Sequence, residues 1–296
     1  MKLDLVDLGL FVNIAESGNL THGASKSFLS PPAASARIKA LEQEVGHPLL
    51  VRENKGVRLT ADGQTFLRQA RLVLRQVDFL QDEMLGAGRI RLFANTTAVT
   101  EILPDVLAGF LAERPGVKVD LQERTTSEVI RGVTEGVADL GVVSGDVPVT
   151  GLEVTRFSED RLVLVTPADH PALDARSLWL EDSLAYDHVG LHDGSTLNRF
   201  LRDQVPHGGY ERSLRIQVRS YEAMCRMIEA GVGIGVMPES AACRHAAVMN
   251  VRMTSLKDSW ALRHRSILVR DRHALSGICK ALMDHLIAKG DTVEQG

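Results

Sequence analysis

With 296 residues, 44% of them hydrophobic and 24% charged, the chain has an ordinary globular make-up and a length for about two domains. Its net charge of −4 excludes a uniformly basic nucleic-acid coat, although such an average can conceal a basic segment. No apolar run approaches the ~20 residues that span a bilayer, and the start "MKLDLVDLGLFVNIAESG" is too acidic and interrupted for a secretory signal, so a cytoplasmic protein is expected. Cys225, Cys243 and Cys279 lie far apart with no C-x-x-C pair, which suits buried thiols better than a disulfide framework or a zinc site.

Leu5, Leu8, Phe11, Val12 and Ala15 recur at helical spacing and predict a first helix, closed by Gly18. Asn19 or Thr21 can cap a second, running through Ala24 to Phe28. Ser30 then caps a third. Pro31 and Pro32 occupy its first two positions, where an N–H would have no intrahelical partner and the ring's fixed φ favours the helix. Ile38, Leu41 and Val45 form its inner face and Gly46 follows its end. Its front is small: Ala33, Ala34, Ser35 and Ala36 allow close approach of another surface, with Arg37 and Lys39 behind them. The stretch "PLLVRENKGVRLT" reads as a β-hairpin, Leu49–Val51 and Val57–Leu59 around a turn at Glu53–Gly56, its tip carrying Arg52, Asn54 and Lys55. From Lys26 to Arg58 six basic residues face three acidic ones. Each feature alone suits a solvated surface. In this order they make a winged helix-turn-helix, with a helix for the major groove of double-stranded DNA and a wing for its phosphates. The candidate contacts are Ser30, Pro31, Pro32, Ser35, Ala36, Arg37, Lys39, Arg52, Asn54 and Lys55.

Thr60 can cap a long helix from Ala61 to about Leu85. Phe66, Ala70, Val73, Val77, Leu80 and Met84 alternate at spacings of four and three, a heptad seam that predicts pairing with a second chain. "GAGR" at 86–89 reads as a flexible joint.

Beyond it the pattern is strand 90–94, helix 100–113, strand 117–123, helix 126–136 opened by a Thr125/Glu128 capping box, and strand 138–144. It restarts with strand 186–192, helix 195–204, strand 213–220, helix 221–230 and strand 233–238. Segments 160–167 and 261–270 join these α/β halves, and a last helix, 274–288, returns to the first. Two lobes with two crossing segments make the periplasmic-binding-protein architecture. In open α/β sheets ligands sit at the carboxyl ends of strands, against helix N-termini. Here those ends place Thr96, Thr97, Ala98, Thr125, Thr126, Ser144, His192, Ser195, Thr196 and Ser220 around one cleft. Such hydroxyls also serve as plain helix caps, but their convergence favours a site. Arg124 and Arg199 could pair with a carboxylate, yet each reads more simply as surface charge.

Enzyme readings find no support. "GVGIG" (231–235) lacks the third glycine of a dinucleotide fingerprint and follows a helix, and G-x-S-x-G and H-E-x-x-H are both missing. His188 and His192 fall on a strand, where a spacing of four does not converge as on a helix, so no metal or other cofactor is expected.

The run "FVNIAESGNLTHGASKSFLSPPAASARIKALEQEVGHPLLVRENKGVRLTADG" resembles the DNA-binding domain of the LysR-type transcriptional regulators, and the likeness extends over nearly the whole chain. The family usually has glutamine where Pro31 stands and arginine where Ala36 stands, so Arg37, displaced by one residue, is placed to take over a DNA contact. The resemblance implies an α+β protein with a winged helix-turn-helix at 1–60, a linker and dimerisation helix at 61–88 and an effector domain at 89–296. Within that domain, lobe I is expected at 89–163 with 267–296 and lobe II at 164–266. It also implies linker helices paired in a homodimer, a tetramer completed through the effector domains, RNA polymerase as a partner, and a small-molecule effector, with a carboxylate one class that fits. A ligand-binding protein without a regulatory role, or an enzyme fused to a DNA-binding domain, would be the alternatives.

Overall fold

The computed structural model describes residues 3–53, 56–85, 88–145, 149–170 and 177–293. The chain divides into two compact units, residues 1–89 with 135–137 and residues 90–134 with 138–296.

In the first unit, α1 (Leu5–Ser17) is capped by Asp4, whose carboxylate accepts the Val6 N–H at 2.9 Å. Its buried stripe is Leu8, Leu10, Phe11 and Ile14, whereas Leu5, expected inside, is 45% exposed. Asn19 caps α2 (Leu20–Lys26) by accepting from the Thr21 and His22 N–H groups. That helix stops two residues short of the expected Phe28, which takes φ +56° and is 98% exposed. Ser30 caps α3 (Pro31–Val45), both prolines sit in its first turn, and Gly46 closes it in the left-handed region at φ +82°. The hairpin is β1 (Leu50–Glu53) with β2 (Gly56–Leu59), paired Leu50 to Leu59. Glu42 of α3 anchors it by accepting the Leu49 and Leu50 N–H groups at 2.7 and 3.0 Å. Asn54 and Lys55 lie outside the described residues.

The long helix α4 (Ala61–Leu85) begins under Thr60, whose hydroxyl accepts the Gly63 N–H at 2.8 Å. Its expected seam is only half available. Phe66 lies edge-on to Phe11 at 5.1 Å and Ala70 is 2% exposed, because α1 covers the start of α4 and draws those residues into the unit's own core. Further along, Val73, Leu80 and Met84 stand 46%, 61% and 80% exposed. The joint at 86–89 is shorter than expected, since Gly88 and Arg89 already belong to a strand and residues 86–87 lie outside the described set.

The second unit continues β3 (Gly88–Ala94) into α5 (Thr96–Glu101), α6 (Leu103–Ala112), β4 (Val117–Glu123), α7 (Thr126–Thr134) and β5 (Leu140–Ser144). The single helix expected at 100–113 is two. Asn95 starts α5 early, accepting the Ala98 N–H, and the chain breaks at Ile102 because Pro104, in the first turn of α6, has no N–H to continue the ladder. Then come β6 (Glu153–Pro167), β7 (Ser177–Leu178), α8 (Leu180–Ser183), β8 (His188–Leu191), α9 (Thr196–Gln204), α10 (Gly209–Ser213) and β9 (Leu214–Val218). The chain ends with α11 (Tyr221–Glu229), β10 (Gly235–Pro238), α12 (Glu239–Ala246), β11 (Val251–Leu256), β12 (Leu262–Val269) and α13 (Gly277–Val293).

Strand β6 serves both halves. Residues 153–161 pair antiparallel with β12 in a sheet ordered β4-β3-β5-β12-β6, while 162–167 lie between β10 and β11. Two separate hydrophobic cores result. One gathers Ile90, Leu92, Phe110, Leu140, Ile267 and Leu282; the other gathers Leu162, Leu164, Val189, Tyr210, Met224 and Val236.

One close approach in the first unit is testable. A Cβ at Gly63 would lie 2.0 Å from the Leu49 carbonyl oxygen, so α4 can leave the hairpin at this angle only with glycine there. Gly63→Ala is expected to destabilise the unit by about 1–3 kcal/mol, read as a lower denaturant midpoint with an unchanged m-value.

Candidate nucleic-acid interface and ligand cleft

Helix α3 buries Ala34, Ile38 and Leu41 and leaves Pro32, Ala36 and Lys39 exposed on its opposite side. Ser30, Pro31 and Ala33 are exposed at its start. Arg52 of β1 reaches over from the hairpin and donates to the Ser35 hydroxyl at 2.7 Å, so wing and helix meet at the expected residues. Arg58, by contrast, is tied to Glu53 across the hairpin at 3.0 Å.

Arg37 is engaged within its own unit. Its Nε donates to Asp7 at 2.5 Å and its Nη2 to Asp4 at 3.0 Å. The Asp7 hydrogen bond above all raises the guanidinium's pKa further, and Asp4, held by its cap and this contact, titrates below the usual carboxylate range. This guanidinium ties α1 to α3.

The second unit brings the cleft residues together. Thr96, Thr97, Ser144, Ser195 and Thr196 line one small cavity with Asn95, Tyr221 and Arg263. The Thr97 hydroxyl and the Tyr221 phenol are 3.0 Å apart. Thr126 donates from both its N–H and its hydroxyl to the Thr196 oxygen at 3.2 Å. Asn95 donates to Thr126 and to the Ser144 carbonyl, each at 3.3 Å. Burial drives the Tyr221 pKa upward, so the phenol stays neutral and able to donate. These contacts close the cleft to about 10 Å³, room for a single water.

Four expected residues do other work. Ala98 is packed in the core beside Ile90, and Thr125 forms the capping box, its N–H bonded to the Glu128 carboxylate at 3.0 Å. That bond holds Glu128 below its ordinary pKa. Ser220 caps α11 through the Ala223 N–H, and the His192 ring accepts from the Gly194 N–H in a turn. Arg124 stacks over Phe93 at 5.4 Å and Arg199 is exposed, in keeping with surface charge.

Sequence reasoning missed the cluster beneath the cleft. Arg263 and Arg265 both contact the Asp160 carboxylate, Arg265 at 3.1 Å, and all three side chains are buried. Among the described residues, Arg263 Nε and Ser144 Oγ are buried without a hydrogen-bond partner. These charges stand among other polar residues in their strands, such as Glu159, Arg161 and His264, so nothing local singled them out.

Comparison with known proteins decides the family. The model of the LysR substrate binding domain matches residues 85–291, and that of the bacterial regulatory helix-turn-helix protein, lysR family, matches residues 5–64. The chain belongs to the LysR family of transcriptional regulators. Curated relatives include a "Probable RuBisCO transcriptional regulator" of Trieres chinensis, 28% identical over 281 residues, which cover 90% of this chain and 91% of that protein. Another of that description, from Synechocystis sp., is 24% identical over 97% of this chain and 87% of its own length. A full-length OxyR variant from Pseudomonas aeruginosa shares the fold at TM-score 0.71 and 22% identity, covering 97% of this chain and 95% of that one. Full-length CbnR complexed with its target DNA does so at TM-score 0.60 and 23% identity, covering 96% and 99%. A LysR-type regulator is a sequence-specific DNA-binding protein with an effector domain, and the family acts in oligomers.

The Arg37–Asp7 contact generates a stability test. Arg37→Ala and Asp7→Ala should each lower stability by up to ~1 kcal/mol, and the double variant by no more than Arg37→Ala alone, which already loses the Asp4 contact as well. Strict additivity in denaturant melts would show that the pair is not coupled.

Proposed function

We propose that α3 reads the major groove of operator DNA through Ser30, Pro31, Pro32, Ser35, Ala36 and Lys39. Arg52 grips phosphate and holds Ser35, Asn54 and Lys55 are further DNA contacts, and Arg37 positions α3 rather than reading bases. A small effector, with a carboxylate as the favoured class, binds at Thr96, Thr97, Ser144, Ser195 and Thr196. The chain works at 1–60 as DNA-binding domain, 61–88 as dimerising helix and 89–296 as effector domain. It acts in the cytoplasm as a homodimer or homotetramer that engages RNA polymerase and catalyses no reaction.

The observation that carries the effector reading is the pair of buried, unpartnered atoms in the cleft, Ser144 Oγ and Arg263 Nε, among converging hydroxyls. Orphaned buried polar groups are costly and mark a place where a ligand completes the hydrogen bonding. A neutral ligand would suit the hydroxyls; the guanidinium favours an anion.

The closed cleft is held in part by the Thr97–Tyr221 hydrogen bond. Such a bond is worth about 1 kcal/mol, or about fivefold in the balance between open and closed lobes. Thr97→Val should therefore keep operator binding in gel-shift titrations while blunting the response to small carboxylates drawn from neighbouring pathways. An unaltered response would place sensing elsewhere.

The oligomer reading rests on the bare apolar face of α4. Leu80→Asp should yield lighter species in sedimentation and weaken operator binding, since paired half-sites need paired subunits. A sedimentation profile like that of the unmodified chain would remove this face from the interface.

A further inference from the structure

The turn between α2 and α3 has the shape for one kind of residue and carries another. The Phe28 N–H donates to the Ser25 carbonyl at 3.1 Å and the Leu29 N–H to the Ala24 carbonyl at 2.9 Å, with Phe28 itself at φ +56°. These two bonds around a left-handed residue make the Schellman closure of a helix, whose left-handed position favours glycine or asparagine. The same unit keeps to that preference elsewhere: Gly18 closes α1 at φ +58° and Gly46 closes α3 at φ +82°. A bulky side chain is strained in this region. Packing does not offset the strain, because the Phe28 ring is 98% exposed, more than any other large hydrophobic side chain among the described residues. A lone exposed hydrophobic residue is ordinary. One held in a disfavoured backbone conformation, with no burial in return, points to a partner outside the chain.

Its position says what that partner is. Phe28 stands two residues, at most ~7 Å of chain, before Ser30, the cap of α3. Ser30, Pro31 and Pro32 are exposed at that end of the helix, and Lys26 is exposed just before the turn. A recognition helix meets base edges with its N-terminal residues. With α3 in the major groove, the reading on which this inference rests, the ring stands at the groove's edge. It has no hydrogen-bonding group, and the apolar group that bases present in the major groove is the 5-methyl of thymine.

We propose that Phe28 is a specificity-determining residue, its ring packed on a thymine methyl in each operator half-site.

The test uses the full chain and a duplex that it enriches from random-sequence DNA. Phe28→Asn supplies the residue that the turn favours, so its denaturant midpoint should be equal or higher. Its affinity for the duplex should nevertheless fall at least about threefold, with an unchanged salt dependence because no phosphate contact is lost. Thymidine is then replaced by deoxyuridine, one position per half-site at a time. At one position the unmodified chain should lose at least about threefold, and Phe28→Asn should lose nothing further. Phe28→Gly serves in the same way where the asparagine variant fails to fold. Ala36→Glu, on the exposed face of α3, reports on the helix separately and should abolish binding. Undiminished binding by Ala36→Glu would take α3 out of the groove and the proposal with it. Loss on Ala36→Glu with undiminished binding by the folded Phe28 variants would overturn the role of Phe28 alone. The proposal also fails if no deoxyuridine duplex weakens the unmodified chain, or if every such penalty persists in Phe28→Asn. Unchanged affinity with lighter species in sedimentation would assign the ring to a second copy of the chain instead.

Discussion

The second unit turns on one carboxylate. Asp160 sits directly opposite Arg263 in the β6–β12 ladder and also holds Arg265, with all three side chains buried. A buried ion pair contributes little net stability, but loss of one partner strands a charge and costs about 3–5 kcal/mol. The cluster therefore acts chiefly as a constraint on register. Slippage of β12 by one residue would move both arginines to the other face of the sheet, into an apolar core. It stands where β6 passes from its pairing with β12 to its pairing with β10 and β11, the segment that belongs to both lobes.

Around that fixed point the lobes are held by few bonds. Thr97 meets Tyr221, Thr126 meets Thr196, and Glu101 meets Arg244. The four hydrogen bonds these pairs make among the described residues, two of them from Thr126, amount at about 1 kcal/mol each to a few kcal/mol. A gap of that size is what a small ligand can reverse, provided it binds one lobe angle better than another. On the proposed reading, the closed cleft and the unpartnered Ser144 and Arg263 atoms would be two aspects of one device.

Legibility in the sequence followed the range of the interaction. Local chemistry was readable. Ser30 with two prolines, the Thr125/Glu128 capping box and the Ser195 and Ser220 caps all act within three residues of their partners, and each appears in place. Partners distant in sequence were not readable. The contacts of Arg37 with Asp4 and Asp7, some thirty residues earlier, left no local mark. The seam of α4 lost Phe66 and Ala70 because heptad spacing does not say which chain provides the covering surface, and α1 provides it here. Strand β7 has two residues and α8 four, too short for any periodicity to register. In the cleft, the hydroxyls announced themselves at strand ends, while Arg263, Asp160 and Tyr221 entered only through packing across more than a hundred residues.

Hydrogen exchange followed by mass spectrometry on Asp160→Asn in the full chain tests the central claim most directly, because it reads local opening strand by strand. The account predicts markedly faster exchange across 153–167 and 262–269 together, with residues 5–53 exchanging as in the unmodified chain. Unchanged protection in both strands would contradict it, and would show that the buried cluster is not what holds the lobes to their shared strands.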